Sequence, residues 1–479
     1  MQQKKFAVIG HPIGHTMSPF IHSRLLELAG AAGSYTKLDI PPAELSARFA
    51  DTLCKLDGFN VTIPHKQAVL PLLTKVGGDA AAFGSVNTVK VCGRETTGYT
   101  TDGIGFTRAL AAAGIPLAGQ VLLLGCGGVA RVMANEILRA PKVTGLTVLM
   151  RRHAEETPAA ADTAAQLQQK QARRAAREAA FLKGFPQAAL SAFSVRCPQG
   201  IQITDENSLR QGKQRYALLV NATSAGMYPN LAVSPVEKET AARAGAVFDA
   251  VYNPGVPMLI KYAEELGIPA VSGMGMLVWQ AAAAEEIWLG CHFQSKDVSP
   301  IITEAQQAMR QQFGNVVLCG FMGSGKSTAG HLLAKRMGRT FVDTDRYIEE
   351  QEGMPVPALF ARYGENWFRA RETEACRTLS RKAGLVIATG GGMLANPLNA
   401  EILRETCLIV LLRPPYAVLQ HRLSGDHSRP MLEKPNRAEV MRALYDQRMP
   451  LYQAAADFTV HAEDSRTVSE QIFALLSNP

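Results

Sequence analysis

Two stretches of this chain place glycines where backbone N–H groups could hold phosphate. The sharper is Gly320-Phe-Met-Gly323-Ser324-Gly325-Lys326-Ser327-Thr328, which satisfies G-x-x-x-x-G-K-[ST] and follows the apolar run Val316-Val317-Leu318. In a strand–loop–helix unit of this kind, the amides of Gly323 to Thr328 cradle a nucleotide. Lys326 reaches the β and γ oxygens, and the Ser327 hydroxyl ligates Mg²⁺. The implied chemistry is phosphoryl transfer from ATP or a related nucleotide. The other stretch, Gly125-Cys126-Gly127-Gly128-Val129-Ala130, follows Val121–Leu124 and meets G-x-G-x-x-[GA]. Gly125 allows a tight turn, Gly127 a close approach to pyrophosphate, and Ala130 close helix–strand packing. The next strand ends Leu149-Met150-Arg151-Arg152, with no acid to bind ribose hydroxyls. Two guanidiniums suit a 2′-phosphate, which favours NADP over NAD. The bland alternatives are a structural glycine turn and two solvent-facing arginines.

Carboxylates and arginines follow the phosphate loop. Asp343-Thr-Asp345 closes the strand Thr340–Val342, where alternate residues can aim one carboxylate at a metal and the other at an acceptor hydroxyl. Gly364 to Arg369 reads as the start of a helix. Val386–Ala388 reads as a buried strand that ends in Thr389-Gly390-Gly391-Gly392, with exposed backbone N–H groups.

The elements behind these groups read as α/β. In a chain of 479 residues, 47% of them hydrophobic, two to four packed units are expected. From Phe6 to about Val91, apolar runs alternate with helical patterns in βαβ rhythm. Thr101–Ala113 reads as a helix leaving this lobe. A second parallel sheet is expected from Val121–Leu124, Gly145–Met150, Ala217–Asn221, Ala246–Ala250 and Ile268–Val271, followed by a helix over Leu277–Leu289. Residues 153–193 lack strand patterning and read as a partly mobile helical insertion. Residues 294–314 are polar and read as a flexible linker, with a short helix over Thr303–Gln312. A new α/β unit begins at Asn315 and runs to 479.

Composition narrows the class. The net charge is +8, and the densest basic run, Lys170–Arg177, has no interleaved aromatics. It is a solvated helix face, not a nucleic-acid stripe, and anionic small substrates suit the positive balance. No stretch approaches the roughly 18–20 apolar residues of a membrane span. Phe6–Ile9 meets Gly10 and Pro12, so it reads as a strand and not a signal peptide. The eight cysteines form neither C-x-x-C nor a zinc spacing and read as reduced thiols of a cytoplasmic enzyme. The oligomeric state stays open.

Seven motifs now identify the first module. They are Val8 to Pro19, Gly58-Phe-Asn60-Val-Thr62-Ile-Pro64-His65-Lys66, Val86-Asn87-Thr88, Thr101-Asp102-Gly-Ile-Gly105, Asn221 to Met227, Asp249 to Pro254, and Met276 to Ala282. Together they resemble shikimate dehydrogenases over residues 1 to about 290. The resemblance implies a substrate lobe (about 1–105 plus 273–293) and a Rossmann NADP lobe (about 106–272). It implies Lys66 and Asp102 as the catalytic pair, with Thr16, Ser18, Thr62, Asn87, Tyr252 and Gln280 lining the shikimate site. Gly125, Gly127, Gly128, Val129, Ala130, Arg151, Arg152 and Gly273 would meet NADP(H). A Lys beside a carboxylate suits the chemistry, because hydride transfer to a ketone builds negative charge on oxygen. Thr16 stands where the family usually has Ser, and Met150-Arg151-Arg152 where it commonly has Asn-Arg-Thr.

Residues 315–479 resemble shikimate kinases, a P-loop α/β fold of the nucleoside-monophosphate-kinase kind. That implies Asp345 on the acceptor hydroxyls and as base, Ser327 and Asp343 at magnesium, and Arg369, Gly391 and Arg448 around the substrate. Arg429 would be a lid arginine on the ATP phosphates, and Arg422 would flank the adenine. The whole reads as a bifunctional enzyme that makes shikimate and then phosphorylates it. Alternatives are a quinate dehydrogenase joined to another polyol-acid kinase, or a ligand-sensing regulator that has lost catalysis.

Overall fold

The computed structural model describes residues 3–14, 16–151, 156, 163–227, 230, 233–252, 256–424, 436–461 and 463–477. Three sheets carry the fold. The first contains β1 (Lys4–Gly10), β2 (Gly33–Asp39), β3 (Gly58–Val61), β4 (Lys75–Val76), β5 (Thr88–Cys92) and β6 (Glu95–Tyr99), in the order β2-β1-β3-β5-β6-β4. The first three strands are parallel, while β5 runs antiparallel to both β3 and β6. The sheet is therefore mixed, not a pure βαβ array. The reason is local: only Gly93 and Arg94 separate β5 from β6, and a two-residue turn joins antiparallel strands only.

The second sheet contains β7 (Gly119–Leu124), β8 (Val143–Leu149), β9 (Ile201–Thr204), β10 (Leu218–Asn221), β11 (Val247–Asp249) and β12 (Ala270–Ser272). Its order is β12-β11-β10-β7-β8-β9, and all strands are parallel. The chain order reverses between β7 and β10, which opens a crevice at the carboxyl ends of these strands. Gly125 follows β7 at that place.

The insertion is helical where it is described. Ala164–Leu182 opens with a reciprocal cap, in which Gln166 N donates to Thr163 Oγ1 and Thr163 N to Gln166 Oε1 (2.8 Å). Phe181, Phe185 and Phe193 are buried and anchor it.

The helix Gly273–Leu289 returns to the first sheet. Ala284 and Trp288 pack with Phe6 and Val8, and Trp288 Nε1 donates to Val89 O at 2.9 Å. Gly105, in the helix Asp102–Ala112, lies against Met276 O and Gln280 of this returning helix, where a Cβ would collide.

The third sheet is parallel, in the order β14-β15-β13-β16-β17. Its strands are β13 (Asn315–Cys319), β14 (Thr340–Asp343), β15 (Leu385–Ala388), β16 (Cys407–Leu412) and β17 (Phe458–Val460). Two apolar clusters, one on Phe321, Ile387 and Tyr452 and one on Leu333, Val386 and Ile472, form the core of this unit.

The chain divides into two compact units. One holds Met1–Gly226, Val233–Tyr252 and Pro257–Gln306; the other holds Met227–Ala232, Asn253–Val256 and Gln307–Pro479. The segment expected as a polar linker is one helix, Ser295–Phe313, with Pro300 inside it. Its buried residues Val298, Ile301, Ala305, Ala308 and Met309 follow helical spacing. Burial of that stripe prevails over the turn-forming Ser, Asp and Pro at its start. Among the described residues no helix is long and apolar enough to cross a membrane, and no cysteine is in a disulfide.

Candidate active sites

In the first unit, the end of β3 and the turn after it deliver Lys66 to the first turn of the short helix His65–Ala68. Asp102 opens its own helix, where a carboxylate meets the positive end of the dipole. The two meet at 2.9 Å, Lys66 Nζ donating to Asp102 Oδ2. Asn87 Nδ2 donates to Asp102 Oδ1 at 2.8 Å, so both carboxylate oxygens are used. Asp102 is 10% exposed and Lys66 28%, a pair open on one side only.

The other expected substrate residues come from separate elements. Thr16 Oγ1 donates to Ser18 Oγ at 3.1 Å, at the start of the helix Ser18–Leu28. Thr62 is half-buried beside Gly10. Gln280 lies on the returning helix against Gly105, and burial pushes the Tyr252 phenol up.

The cofactor crevice is built for close approach. Gly125 has φ +105°, which favours glycine, and a Cβ there would meet Thr223 at 2.9 Å. Nothing lies within 4 Å of a Cβ built on Gly127 or Gly128, so the amides opening the helix Gly128–Arg139 are accessible to a pyrophosphate. Val129 is exposed in that first turn and Ala130 is buried. At Gly273 a Cβ would collide with Ala250 O, so only glycine lets this helix start so near β11. Arg151 is half-exposed; it donates to Pro235 O at 3.1 Å and lies 3.4 Å from Glu206. Arg152 lies outside the described residues.

A buried clasp that sequence reasoning had not singled out ties the loops after β10 and β11. Asp249 Oδ1 accepts from Asn221 Nδ2 and Val251 N, both at 2.9 Å, while its Oδ2 has no partner among the described residues. Burial raises the Asp249 carboxyl from its ordinary 3.8 to about 7. In the unfolded chain the proton leaves near pH 4, at about the model-peptide value. Between these values the native state holds more protons, so stability falls as pH rises from about 4 to about 7. Asp249→Asn removes this titration and keeps the acceptor. The Tm difference, variant minus wild type, is expected to grow more positive between pH 5 and 8 in thermal unfolding. A difference flat in pH refutes it.

In the second unit, the phosphate loop leads into the helix Lys326–Met337. Lys326 Nζ donates to Gly320 O at 2.9 Å and Phe321 O at 3.1 Å. Asp343 caps the helix Thr344–Glu352, its Oδ1 accepting from Asp345 N, while its Oδ2 accepts from Ser327 Oγ at 2.8 Å. A hydroxyl and a carboxylate thus share one point beside the phosphate loop, a donor set that fits Mg²⁺.

The triple glycine after β15 lets charged side chains lie on backbone. A Cβ on Gly390 would collide with the Asp345 carboxylate, and one on Gly392 with the Arg369 guanidinium. Arg448 Nη1 donates to Gly391 O at 2.8 Å, and the Tyr452 hydroxyl bonds the same carbonyl. Phosphate loop, Asp343, Asp345, Arg369, Gly391 and Arg448 line one cleft of about 1160 Å³. Arg422 Nη1 donates to Gly323 O at 2.9 Å, at the cleft edge. Arg429 and residues 425–428 of the expected lid lie outside the described residues.

Glu372 is the residue here that sequence reasoning missed. It is 1% exposed, and its Oε2 accepts from Arg369 Nη1 at 2.8 Å. Burial raises its carboxyl, with the Asp345 charge adding to that and the Arg369 charge opposing it. The i,i+3 spacing Arg369–Glu372 on the helix Glu365–Ser380 was the available signal.

A parallel dinucleotide-type sheet beside a Lys–Asp pair defines a pyridine-nucleotide oxidoreductase. A phosphate loop facing carboxylates and arginines in one cleft defines a small-molecule kinase. The family model described as Shikimate dehydrogenase substrate binding domain matches residues 8–89, and the one described as Shikimate kinase matches residues 322–477. A Methanococcus maripaludis protein named Shikimate dehydrogenase (NADP(+)) is 31% identical over 290 residues, covering 60% of this chain and 92% of its own. A Psychrobacter cryohalolentis shikimate kinase is 43% identical over 148 residues, covering 31% of this chain and 80% of its own. A chorismate mutase/shikimate 5-dehydrogenase fusion from Clostridium acetobutylicum superposes with TM-score 0.52 at 27% identity, covering 65% of this chain and 99% of that one. The chain belongs to the shikimate dehydrogenase family over its first part and to the shikimate kinase family over its last. It is a bifunctional shikimate-pathway enzyme, oxidoreductase and transferase on one polypeptide.

Proposed function

We propose that residues 1–293 reduce 3-dehydroshikimate to shikimate with NADPH, and that residues 315–479 phosphorylate the shikimate at its 3-hydroxyl with MgATP. The observation that carries the first step is the Lys66–Asp102 contact of 2.9 Å, braced by Asn87. When bound, NADPH supplies the hydride. Lys66 gives its proton to the ketone oxygen as negative charge builds there, and Asp102 keeps the ammonium aimed. Thr16, Ser18, Thr62, Asn87, Tyr252 and Gln280 hold the ring and carboxylate. The open turn at Gly127 and Gly128 fits the pyrophosphate, with Gly125, Val129, Ala130 and Gly273 around it and Arg151 and Arg152 for the 2′-phosphate.

In the second unit, MgATP supplies the phosphoryl group when bound. Asp345 takes the proton of the attacking hydroxyl, Arg369 and Arg448 clasp the carboxylate beside Gly391, and Lys326 steadies the phosphates. Gly323 to Thr328 wrap the phosphates, Ser327 and Asp343 hold Mg²⁺, and Arg422 and Arg429 close on the nucleotide. The sensor alternative is not favoured, because both units keep their reactive groups in place.

The test incubates the full chain with 3-dehydroshikimate, NADPH and MgATP, following NADPH absorbance and product mass together. Loss of NADPH with appearance of a phosphate ester of shikimate is expected. Unchanged absorbance overturns the first assignment; a product that stops at shikimate overturns the second.

A further inference from the structure

Behind the Lys66–Asp102 pair runs a chain of hydrogen bonds in which every donor points the same way. It starts at Tyr35, the third residue of β2, which is 7% exposed. The Tyr35 hydroxyl donates to Asn60 Oδ1 at 2.6 Å. Asn60 Nδ2 donates to Thr88 Oγ1 at 3.0 Å, and Thr88 Oγ1 donates to Asn87 Oδ1 at 3.0 Å. Asn87 Nδ2 then donates to Asp102 Oδ1. Part of this order follows from chemistry. An amide has one accepting and one donating end, and a hydroxyl has one proton to give. Once the phenol occupies the Asn60 oxygen, the Asn60 amide group must face Thr88. Thr88 then has its proton free for the Asn87 oxygen, which also accepts from Thr101 N at 2.9 Å, and the Asn87 NH₂ turns to the carboxylate and to Thr101 Oγ1.

The phenol at the head of this chain is itself held. The His22 imidazole stacks on the Tyr35 ring, with centroids 4.0 Å apart and planes at 7°. His22 Nδ1 is bonded to Glu285 at 2.7 Å, both fully buried, and Trp288 closes the block. Burial and the Glu285 charge push the phenol well up, which keeps it a donor.

We infer that Tyr35 is a positioning residue of the dehydrogenase: through Asn60 and Thr88, and together with the Thr101 N–H, it orients the Asn87 amide that holds Asp102 toward Lys66. This rests on the reading of Lys66 and Asp102 as the proton-transfer pair. Tyr35→Phe keeps the stack on His22 and deletes only the first donor. Thr88→Val breaks the chain two links later with little change in volume. Each is expected to lower kcat for 3-dehydroshikimate reduction roughly 10-fold, about the effect of one hydrogen bond lost in the transition state. Each is also expected to move the pH profile of kcat in the same direction. Because the links lie in series, the double variant is expected to be no slower than the worse single one. The kinase activity of each variant reports that the chain is folded. A Tyr35→Phe enzyme with wild-type kcat and pH profile, or a double variant whose losses multiply, overturns the relay. Lys66→Ala assayed alongside separates the two readings: an inactive Lys66 variant beside an unaltered Tyr35 variant sinks the relay alone, whereas an active Lys66 variant sinks both.

Discussion

Lys66→Ala is expected to lower kcat for 3-dehydroshikimate reduction by about 10³-fold, in the range typical of a lost general acid, with kinase turnover unchanged. Lys66 Nζ lies 2.9 Å from Asp102 and nowhere deep: it is 28% exposed, so its ammonium faces the open side of the pair. Alanine removes the proton donor and the positive charge together, and leaves Asp102 held by Asn87 among the described residues. An isolated carboxylate beside a developing oxyanion opposes the reaction, so the loss exceeds that of a proton donor in a neutral setting. Thr16, Ser18, Thr62, Asn87, Tyr252 and Gln280 are the residues proposed to hold the substrate's ring and carboxylate, so KM is expected to change far less than kcat. The measurement is initial rate by NADPH absorbance at saturating substrate, with ADP release from the same preparation as the internal control. A variant within tenfold of wild type in reduction removes Lys66 from the chemistry.

How much of this was legible in the sequence depends on how far apart the cooperating residues lie. The phosphate loop is local, and its glycines at 323 and 325 adopt the positive φ that its motif demands. Five strands of the parallel second sheet were legible as apolar runs such as Val121–Leu124, whereas the edge strand β9, only partly buried, was not. The first lobe was legible as strands but not in direction, since the Gly93-Arg94 turn alone sets β5 against β6. The helix Ser295–Phe313 was hidden by the loop-like composition of its first turns, although its buried stripe recurs at helical spacing.

The sites divide in the same way. Motif residues are brought together in pairs: Lys66 meets Asp102, and Asp345 and Arg448 line one cleft with the phosphate loop. His22 and Glu285 are 263 positions apart and meet only because the last helix of the first unit returns to the first sheet. No spacing within one sequence announces such a pair. The Tyr35–Asn60 contact is hidden for the same reason, because it depends on β1 lying between β2 and β3. Residues that touch a ligand carry local motifs, while those that aim them are brought together by topology.

Lys326→Ala is the second large effect, expected to reduce shikimate phosphorylation by about 10³-fold, the upper range for deleting one transition-state charge contact, with reduction of 3-dehydroshikimate intact. Lys326 is the first residue of its helix, so its stem rises from the loop that wraps the phosphates. Its Nζ donates to Gly320 O and Phe321 O, two carbonyls of that same loop, so the ammonium also braces the loop. Two effects of the substitution are therefore separable. Loss of the brace weakens nucleotide binding, which a titration with a non-hydrolysable ATP analogue reads directly. Loss of the charge acts on the β and γ oxygens as the phosphoryl group moves, which appears in kcat at saturating ATP. The second is expected to dominate, because Asp343 holds Ser327 and the helix start at 2.8 Å without help from Lys326. Should kcat at saturating ATP stay within tenfold of wild type while analogue binding collapses, Lys326 is a brace and not a participant in transfer.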